Sequence, residues 1–455
     1  MADQAVTGRY AVIGAGWAGC AAALELARAG HAVTVYEAAR TLGGRARRVE
    51  RENTMLDNGQ HILLGAYTET LRLMTLAGQD PGELILTLPL QMRYPAGSGG
   101  MDFVAPRLPA PLHLAWALLR AKGLQRADKL SLMRFSTAMR WMGWQLYNDC
   151  TVSELLQRFD QTDTLCRLMW HPLCLAALNT PPERASARVF INVLRDSLGA
   201  RRRSASDMLV PKADLSALLP DAAGRYVARH GGEVRTGAKV DAVLALPDGR
   251  WQVDDADTYD GIVVATSSVQ AASLLQGVQD ARLDEVLARL QAFTPEAIST
   301  CYLQYDAAVR LDLPFYALVD APELQHWGQF VFDRGQLDAR QAGLLAVVIS
   351  ASGTAAGQGH GPLAQAIAAQ LAQVLRRPEL AQPAWSQLIT EKRATFACTP
   401  DLLRPGNASG VPGLLLAGDN TAGEDRAQDY PATIEAAVRS GMAAARAMRA
   451  GATAK

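Results

Sequence analysis

The feature that most constrains this chain lies near its start. Arg9-Tyr-Ala-Val-Ile-Gly-Ala-Gly-Trp-Ala-Gly19 leads into an alanine-rich segment, which is followed by Val33-Thr-Val-Tyr-Glu37 and then Leu42-Gly-Gly-Arg45. Tyr10 to Ile13 is a short apolar run suited to a buried parallel strand, and Gly14, Gly16 and Gly19 follow it in the spacing G-x-G-x-x-G. Gly14 allows a tight turn, Gly16 lets backbone approach a pyrophosphate, and Gly19 lets a helix from about Ala18 to Ala29 lie close on the sheet. The N-terminus of that helix offers free N–H groups and a partial positive charge to phosphate. Glu37 ends the second apolar strand at the distance expected of a carboxylate on a ribose hydroxyl. A lone glycine motif is weak evidence. Strand, turn, helix, second strand and acid in this order read as a dinucleotide cradle.

At 455 residues the chain exceeds one ordinary domain, so two interleaved domains around a sizeable core are expected. The formal net charge is zero, and nothing in the overall balance suggests nucleic acid. Cysteines 20, 150, 166, 174, 301 and 398 form no C-x-x-C pair and no metal-ligand spacing, which predicts reduced thiols in a cytoplasmic protein and no metal site. The first apolar stretch has no basic leader and is already the nucleotide strand, so no signal peptide is expected. No apolar run reaches the length of a membrane span.

The nucleotide-binding character covers residues 1–90, returns at 205–270 and closes at 400–455. Leu56 to Ile62 reads as a strand entering a glycine turn, Leu215 to His230 as one amphipathic helix, and Glu233 to Val240 as a strand. Residues 91–204 and 271–399 form the second, substrate-binding or membrane-facing unit. Between Arg107 and Arg140 seven basic residues (Arg107, Arg120, Lys122, Arg126, Lys129, Arg134, Arg140) stand against one acid, Asp128, in a helical pattern. Trp116, Trp141, Trp144 and Trp170 fall in or near this stretch. A basic helical segment with tryptophan and leucine on its apolar side fits a membrane-surface contact. The somewhat favoured alternative places these tryptophans in a core or an apolar substrate cavity, with the cations on a solvated face.

Near the other end, Leu414-Leu-Leu-Ala-Gly418-Asp419 is a buried strand stopping at Gly-Asp, and Asp429-Tyr-Pro-Ala-Thr-Ile-Glu435 opens a long helix with Pro431 in its first turn. An aspartate at a strand end can accept a ribityl hydroxyl proton. A helix N-terminus at Thr433 and Ile434 would face the N1 and O2 edge of a flavin, which becomes negative on reduction. Together the two ends describe the two ends of one FAD molecule. No second G-x-G-x-x-G follows a strand, so no NAD(P)H domain is expected, and electrons come from the substrate or an external electron donor.

Leu42-Gly43-Gly44-Arg45 resembles the glycine-arginine loop of the amine oxidase and polyprenoid desaturase superfamily, in which the arginine helps neutralise the FAD diphosphate. Trp17-Ala-Gly19, Leu56-Asp-Asn-Gly-Gln-His-Ile-Leu-Leu-Gly-Ala-Tyr67, Ala176-Ala-Leu-Asn-Thr-Pro-Pro-Glu183, Val193-Leu-Arg-Asp-Ser197 and Tyr430-Pro-Ala-Thr-Ile-Glu435 extend the likeness over nearly the whole chain. In these segments the sequence resembles the hydroxysqualene dehydroxylases of bacterial hopanoid pathways. The resemblance implies an α/β fold, a Rossmann-like FAD-binding domain with an inserted α+β substrate domain. It also implies FAD bound by Gly14, Gly16, Gly19, Glu37, Gly44, Arg45, Gly418, Asp419, Thr433 and Ile434, with Val240 meeting the adenine side. The implied reaction removes the allylic hydroxyl of a C30 isoprenoid alcohol. His61 and Asp57 are the first candidates for the acid, because their strand should run under the flavin, although a structural histidine and a turn-capping carboxylate are the plainer readings. Arg195, Asp196 and Tyr430 are weaker candidates. A polyprenoid desaturase, an amine oxidase with its aromatic cage, and a non-enzymatic prenyl-binding protein are the competing functions. The oligomeric state is left open.

Overall fold

The structure, a computed structural model, describes residues 8–51, 54–255, 257–423 and 429–453. Its centre is β1 (Arg9–Ile13), which continues through the glycine turn into α1 (Trp17–Arg28) and β2 (Ala32–Glu37). β1 is the middle strand of a five-stranded sheet in which Glu233–Thr236, β2, β1, Gly261–Val264 and Leu414–Leu416 lie side by side, all parallel. In register, Val12 stands between Val35 and Val263, and Val263 beside Leu415. Both faces of this sheet are covered, which is why β1, Gly261–Val264 and Leu414–Leu416 are nearly continuous apolar runs rather than alternating ones.

α1 is buried from Trp17 to Ala27, so its alanines serve close packing on every side. The helix Ile434–Thr453 crosses it. A Cβ placed on Gly441 would come 2.0 Å from the Ala18 carbonyl oxygen, so the two helices meet backbone to backbone.

The second unit is built on an antiparallel five-stranded sheet, in the order Phe315–Ala317, Phe330–Asp333, Leu344–Ile349, Pro295–Gln304 and Trp385–Phe396. Its strands alternate as a two-sided sheet requires. Cys301 and Leu303 point to the cluster beneath the helix His360–Leu375, with Ile367 and Leu371, while Tyr302 joins Trp170, Phe190 and Phe332 on the opposite face. Trp170 is core, with its indole N–H donated to Gln161 Oε1 at 2.9 Å. Trp116 and Trp141, in contrast, face outward. The tryptophans therefore divide between the two sequence-based readings.

Three local expectations are corrected. The segment from Leu215 to His230 is two helices, Leu215–Leu218 and Pro220–Arg229, because Pro220 has no N–H to continue the first and instead opens the second. The strand starting at Glu233 stops at Thr236, since Gly237 turns the chain at φ +69°, and Val240 lies beyond it as a buried side chain in an exposed loop. The helix expected to have Pro431 in its first turn begins at Ile434, with Thr433 Oγ1 accepting from the Ala436 amide at 3.2 Å.

Candidate active site

The glycine turn is built as its spacing requires. Gly14 has φ +100°, and an added Cβ would lie 2.6 Å from the Ala265 carbonyl oxygen. A Cβ on Gly19 would lie 1.8 Å from the Gly14 carbonyl oxygen. Gly16 differs: the nearest atom to its added Cβ is Gly44 Cα, 3.9 Å away. A methyl group is therefore tolerated at Gly16, whereas a Cβ on Gly44, which stands against it from the next loop at φ +62°, would come 3.0 Å from Gly16 Cα. The Gly43 amide donates to Ala15 O at 2.8 Å and fixes that loop alongside the turn. The two loops thus meet backbone to backbone beside the start of α1, and that side-chain-free edge next to the helix N-terminus fits a diphosphate.

Glu37 closes one end. Its Oε2 accepts from the Ala15 amide at 2.7 Å and its Oε1 from the Ala39 amide at 2.8 Å. Val240 is buried in the same apolar cluster as Ile13 and Tyr36, and Ala238, two residues before it, donates its amide to the Glu37 carbonyl at 2.9 Å.

Arg45 closes the other end. Nη2 donates to Asp419 Oδ1 at 2.6 Å and Nη1 to the Ala394 carbonyl at 2.6 Å. Asp419 follows the Leu414–Leu416 strand, and the Gly418 amide is anchored on Ser440 Oγ of the last helix at 3.0 Å. Ser440 also accepts from Thr421 Oγ1 at 2.7 Å. The two segments that carry the predicted cofactor residues thus come together in space. Thr433 and Ile434 form the start of the helix that carries Ser440. The Tyr67 hydroxyl bonds to Thr433, and burial pushes it well above the usual phenol range. Glu435 accepts from the Glu69 and Thr70 amides, so it caps the helix Thr68–Leu76.

His61 follows the turn at Asn58 and Gly59. The Gln60 amide donates to Thr300 Oγ1 at 3.3 Å, and His61 Nδ1 donates to the Gly59 carbonyl at 2.6 Å. A carbonyl partner puts the proton of the neutral ring on Nδ1. Nε2 has no partner among the described residues. Burial, with a contribution from the nearby Arg45 charge, depresses the His61 pKa below the ordinary histidine value.

Asp57 ends the strand Thr54–Asp57, and its Oδ1 accepts from the Leu215 amide at 2.8 Å. Burial pushes its pKa up to about 7, opposed by the Arg334 charge. With 4% of its surface exposed, Asp57 caps the short helix after Asp214 and is not open to solvent. This is the structural reading of that carboxylate. The weaker candidates form one cluster: Tyr430 Oη donates to Asp196 Oδ2 at 2.5 Å, Arg195 Nε donates to Asp196 Oδ1 at 2.7 Å, and the Arg439 guanidinium lies 5.2 Å from the Tyr430 ring centroid. Burial and then Asp196 push the Tyr430 phenol up to about 12.

A model of the family described as flavin containing amine oxidoreductase matches residues 17–449. Over 460 residues the chain is 30% identical to a hydroxysqualene dehydroxylase of Rhodopseudomonas palustris, covering 95% of this chain and 96% of that one. The chain belongs to the hydroxysqualene dehydroxylase family. A hydroxysqualene dehydroxylase of Sinorhizobium fredii is 28% identical over 95% of this chain and 96% of its own. The fold is shared with a solved oxidoreductase from Methanosarcina mazei, at a TM-score of 0.71 and 15% identity over 96% of this chain and 99% of that one. This hydroxysqualene dehydroxylase family member is an FAD-dependent oxidoreductase. Two residues of its site escape a reading of the sequence. Thr300 and Ser440 carry no motif, and only their positions, on an inward face of a strand and on the last helix beside Gly418, give them their contacts.

Proposed function

We propose that the protein removes the allylic hydroxyl of hydroxysqualene to give squalene, the alcohol taking up two electrons and two protons and releasing water. The single observation that carries this reading is the position of His61. On one side it lies in the field of Arg45; on the other, the adjoining Ile62 packs into the apolar cluster of Trp170, Phe190 and Phe332. A polar reacting end beside an apolar interior suits a long hydrocarbon with one hydroxyl.

When bound, reduced FAD supplies the hydride, and an external electron donor restores it. Gly14, Gly16, Gly19 and Gly44 would shape the backbone around the diphosphate, and Arg45 would neutralise it. Glu37 would take a ribose hydroxyl, Val240 would meet the adenine side, and Asp419 would take a ribityl hydroxyl. The helix start at Thr433 and Ile434 would stabilise negative charge at the flavin edge by up to about 1 kcal/mol where partly exposed. His61 acts as the acid: protonated at Nε2, it donates to the departing hydroxyl. The depressed pKa makes that proton easier to give up. Asp57 holds the turn that presents His61. The Tyr430 phenol, already donated to Asp196, is less available for that role.

The test is anaerobic incubation of the reduced holoenzyme with hydroxysqualene and mass analysis of the lipid. Squalene is the expected product. Unchanged alcohol with fully reduced flavin overturns the reading, and a more unsaturated product from a polyprene substrate given to oxidised enzyme favours a desaturase.

A further inference from the structure

We propose that the helices Leu112–Arg120 and Arg126–Trp141 form a docking surface for an anionic phospholipid bilayer. Both helices carry large apolar side chains on their outer faces as well as their inner ones. In the first, His113 and Ala117 face inward, while Leu112, Trp116 and Leu119 recur at helical spacing on the outer face with 59%, 46% and 70% of their surface exposed. In the second, Leu130, Met133 and Trp141 form the outer stripe, and Trp141 is 89% exposed. Among the described residues, eight of the thirteen exposed large apolar side chains fall between 108 and 147, six of them on these two helices. Lys129 Nζ donates to the Leu119 carbonyl at 2.8 Å, which ties the end of the first helix to the second. The Arg120 guanidinium sits 5.2 Å from the Trp116 ring centroid.

Charge decides what covers the patch. Arg107, Arg120, Lys122, Arg126, Arg134 and Arg140 are exposed around it. The one acid in the segment, Asp128, is buried and accepts from the Gln125 amide and Thr162 Oγ1. Between Arg107 and Arg140 the described residues therefore show cations and no exposed carboxylate, in a chain of zero formal net charge. A second copy docked two-fold on the same face would set these cations against themselves. Anionic headgroups match them, and the apolar stripe matches the boundary with the acyl chains. No helix among the described residues is long and apolar enough to cross a membrane, which agrees with helices lying in its plane. The inner faces of the same helices, through Ala117, Leu132, Phe135 and Met139, join the apolar cluster on which Ile62 packs.

The FAD-loaded protein is sedimented with vesicles of phosphatidylcholine mixed with phosphatidylglycerol, and with phosphatidylcholine alone. Partition into the mixed vesicles that weakens with added salt is expected. Replacing Trp116 and Trp141 together by Ser should weaken it at least about tenfold. Arg134→Gln with Arg140→Gln should cost about fivefold per cation removed. Flavin absorbance, melting temperature and turnover of detergent-dispersed substrate should stay unchanged in these variants, so the result is independent of which reaction the enzyme performs. No partition into mixed vesicles overturns the proposal, as does partition undiminished in either double variant. So does a wild-type dimer in sedimentation that the tryptophan replacements convert to monomer.

Discussion

Arg45 Nη2 meets Asp419 Oδ1 across 2.6 Å, joining residues 374 positions apart. Each belongs to a segment that reads separately as one end of the FAD site, and the ion pair sets those ends together. Arg45→Ala is expected to weaken FAD binding about 10- to 100-fold, the range for losing a hydrogen bond from a charged donor. Arg45→Lys should recover only part of it, since an ammonium lacks the planar fork that reaches Asp419 and Ala394 at once. Fluorescence titration with FAD measures both; wild-type affinity in the alanine variant would remove Arg45 from the site.

The glycines separate folding from binding. Gly19→Ala places a Cβ 1.8 Å from the Gly14 carbonyl oxygen, so insoluble or strongly destabilised protein is expected. Gly16→Ala meets nothing closer than 3.9 Å, so the apoprotein should melt as the wild type does while FAD affinity falls at least about tenfold. Thermal melts of apo and FAD-loaded material distinguish the two, and equal behaviour of both variants would contradict the assigned roles.

For His61 the active form is the imidazolium. Its pKa is depressed by burial and by Arg45, so the protonated fraction, and with it kcat, should rise as pH falls and reach half-maximum below the ordinary histidine value of 6.5. His61→Phe should lower kcat by roughly 10²- to 10⁴-fold and leave FAD affinity unchanged. A pH profile that is flat from 5 to 8, on the order of the range in which histidines titrate, would transfer the acid role elsewhere.

Asp57 has a stability signature instead. Its folded-state pKa is raised from 3.8 to about 7, so the fold holds the proton more tightly than the unfolded chain. Its favourable contribution is fully present below pH 3.8 and is lost as pH rises through about 7. Asp57→Asn keeps an oxygen for the Leu215 amide without that titration. Wild type should therefore lose on the order of 2 to 4 kcal/mol relative to Asp57→Asn between these limits. Denaturant melts at several pH values measure the difference. Squalene formation in the variant should remain within a few-fold of wild type, and a loss on the scale of His61→Phe would restore Asp57 to the chemistry.

What the sequence shows of this site is what backbone geometry demands. Gly14, Gly19 and Gly44 stand where a positive φ or a close approach excludes side chains, and such demands leave a local pattern. Arg45 and Asp419 stand out because each follows a glycine, Gly44 and Gly418, and Glu37 because it ends the strand after α1. Side chains whose roles depend on distant partners leave no such trace. Asp57 is decided by Leu215, and Tyr430 by Asp196 lying 234 positions away. Trp116 and Trp170 look alike in sequence. Only the packing of their helices sends one outward and the other into the core.

The crossing of α1 by the helix that carries Gly441 bears on how the holoenzyme is assembled. The central sheet takes strands from residues 9–37, 233–264 and 414–416, so its early segments wait for its late ones. During synthesis the nascent Gly14–Gly19 turn has neither its covering helix nor Asp419. The surroundings of that turn are then complete only once residues 414–441 have been made and folded onto residues 9–45.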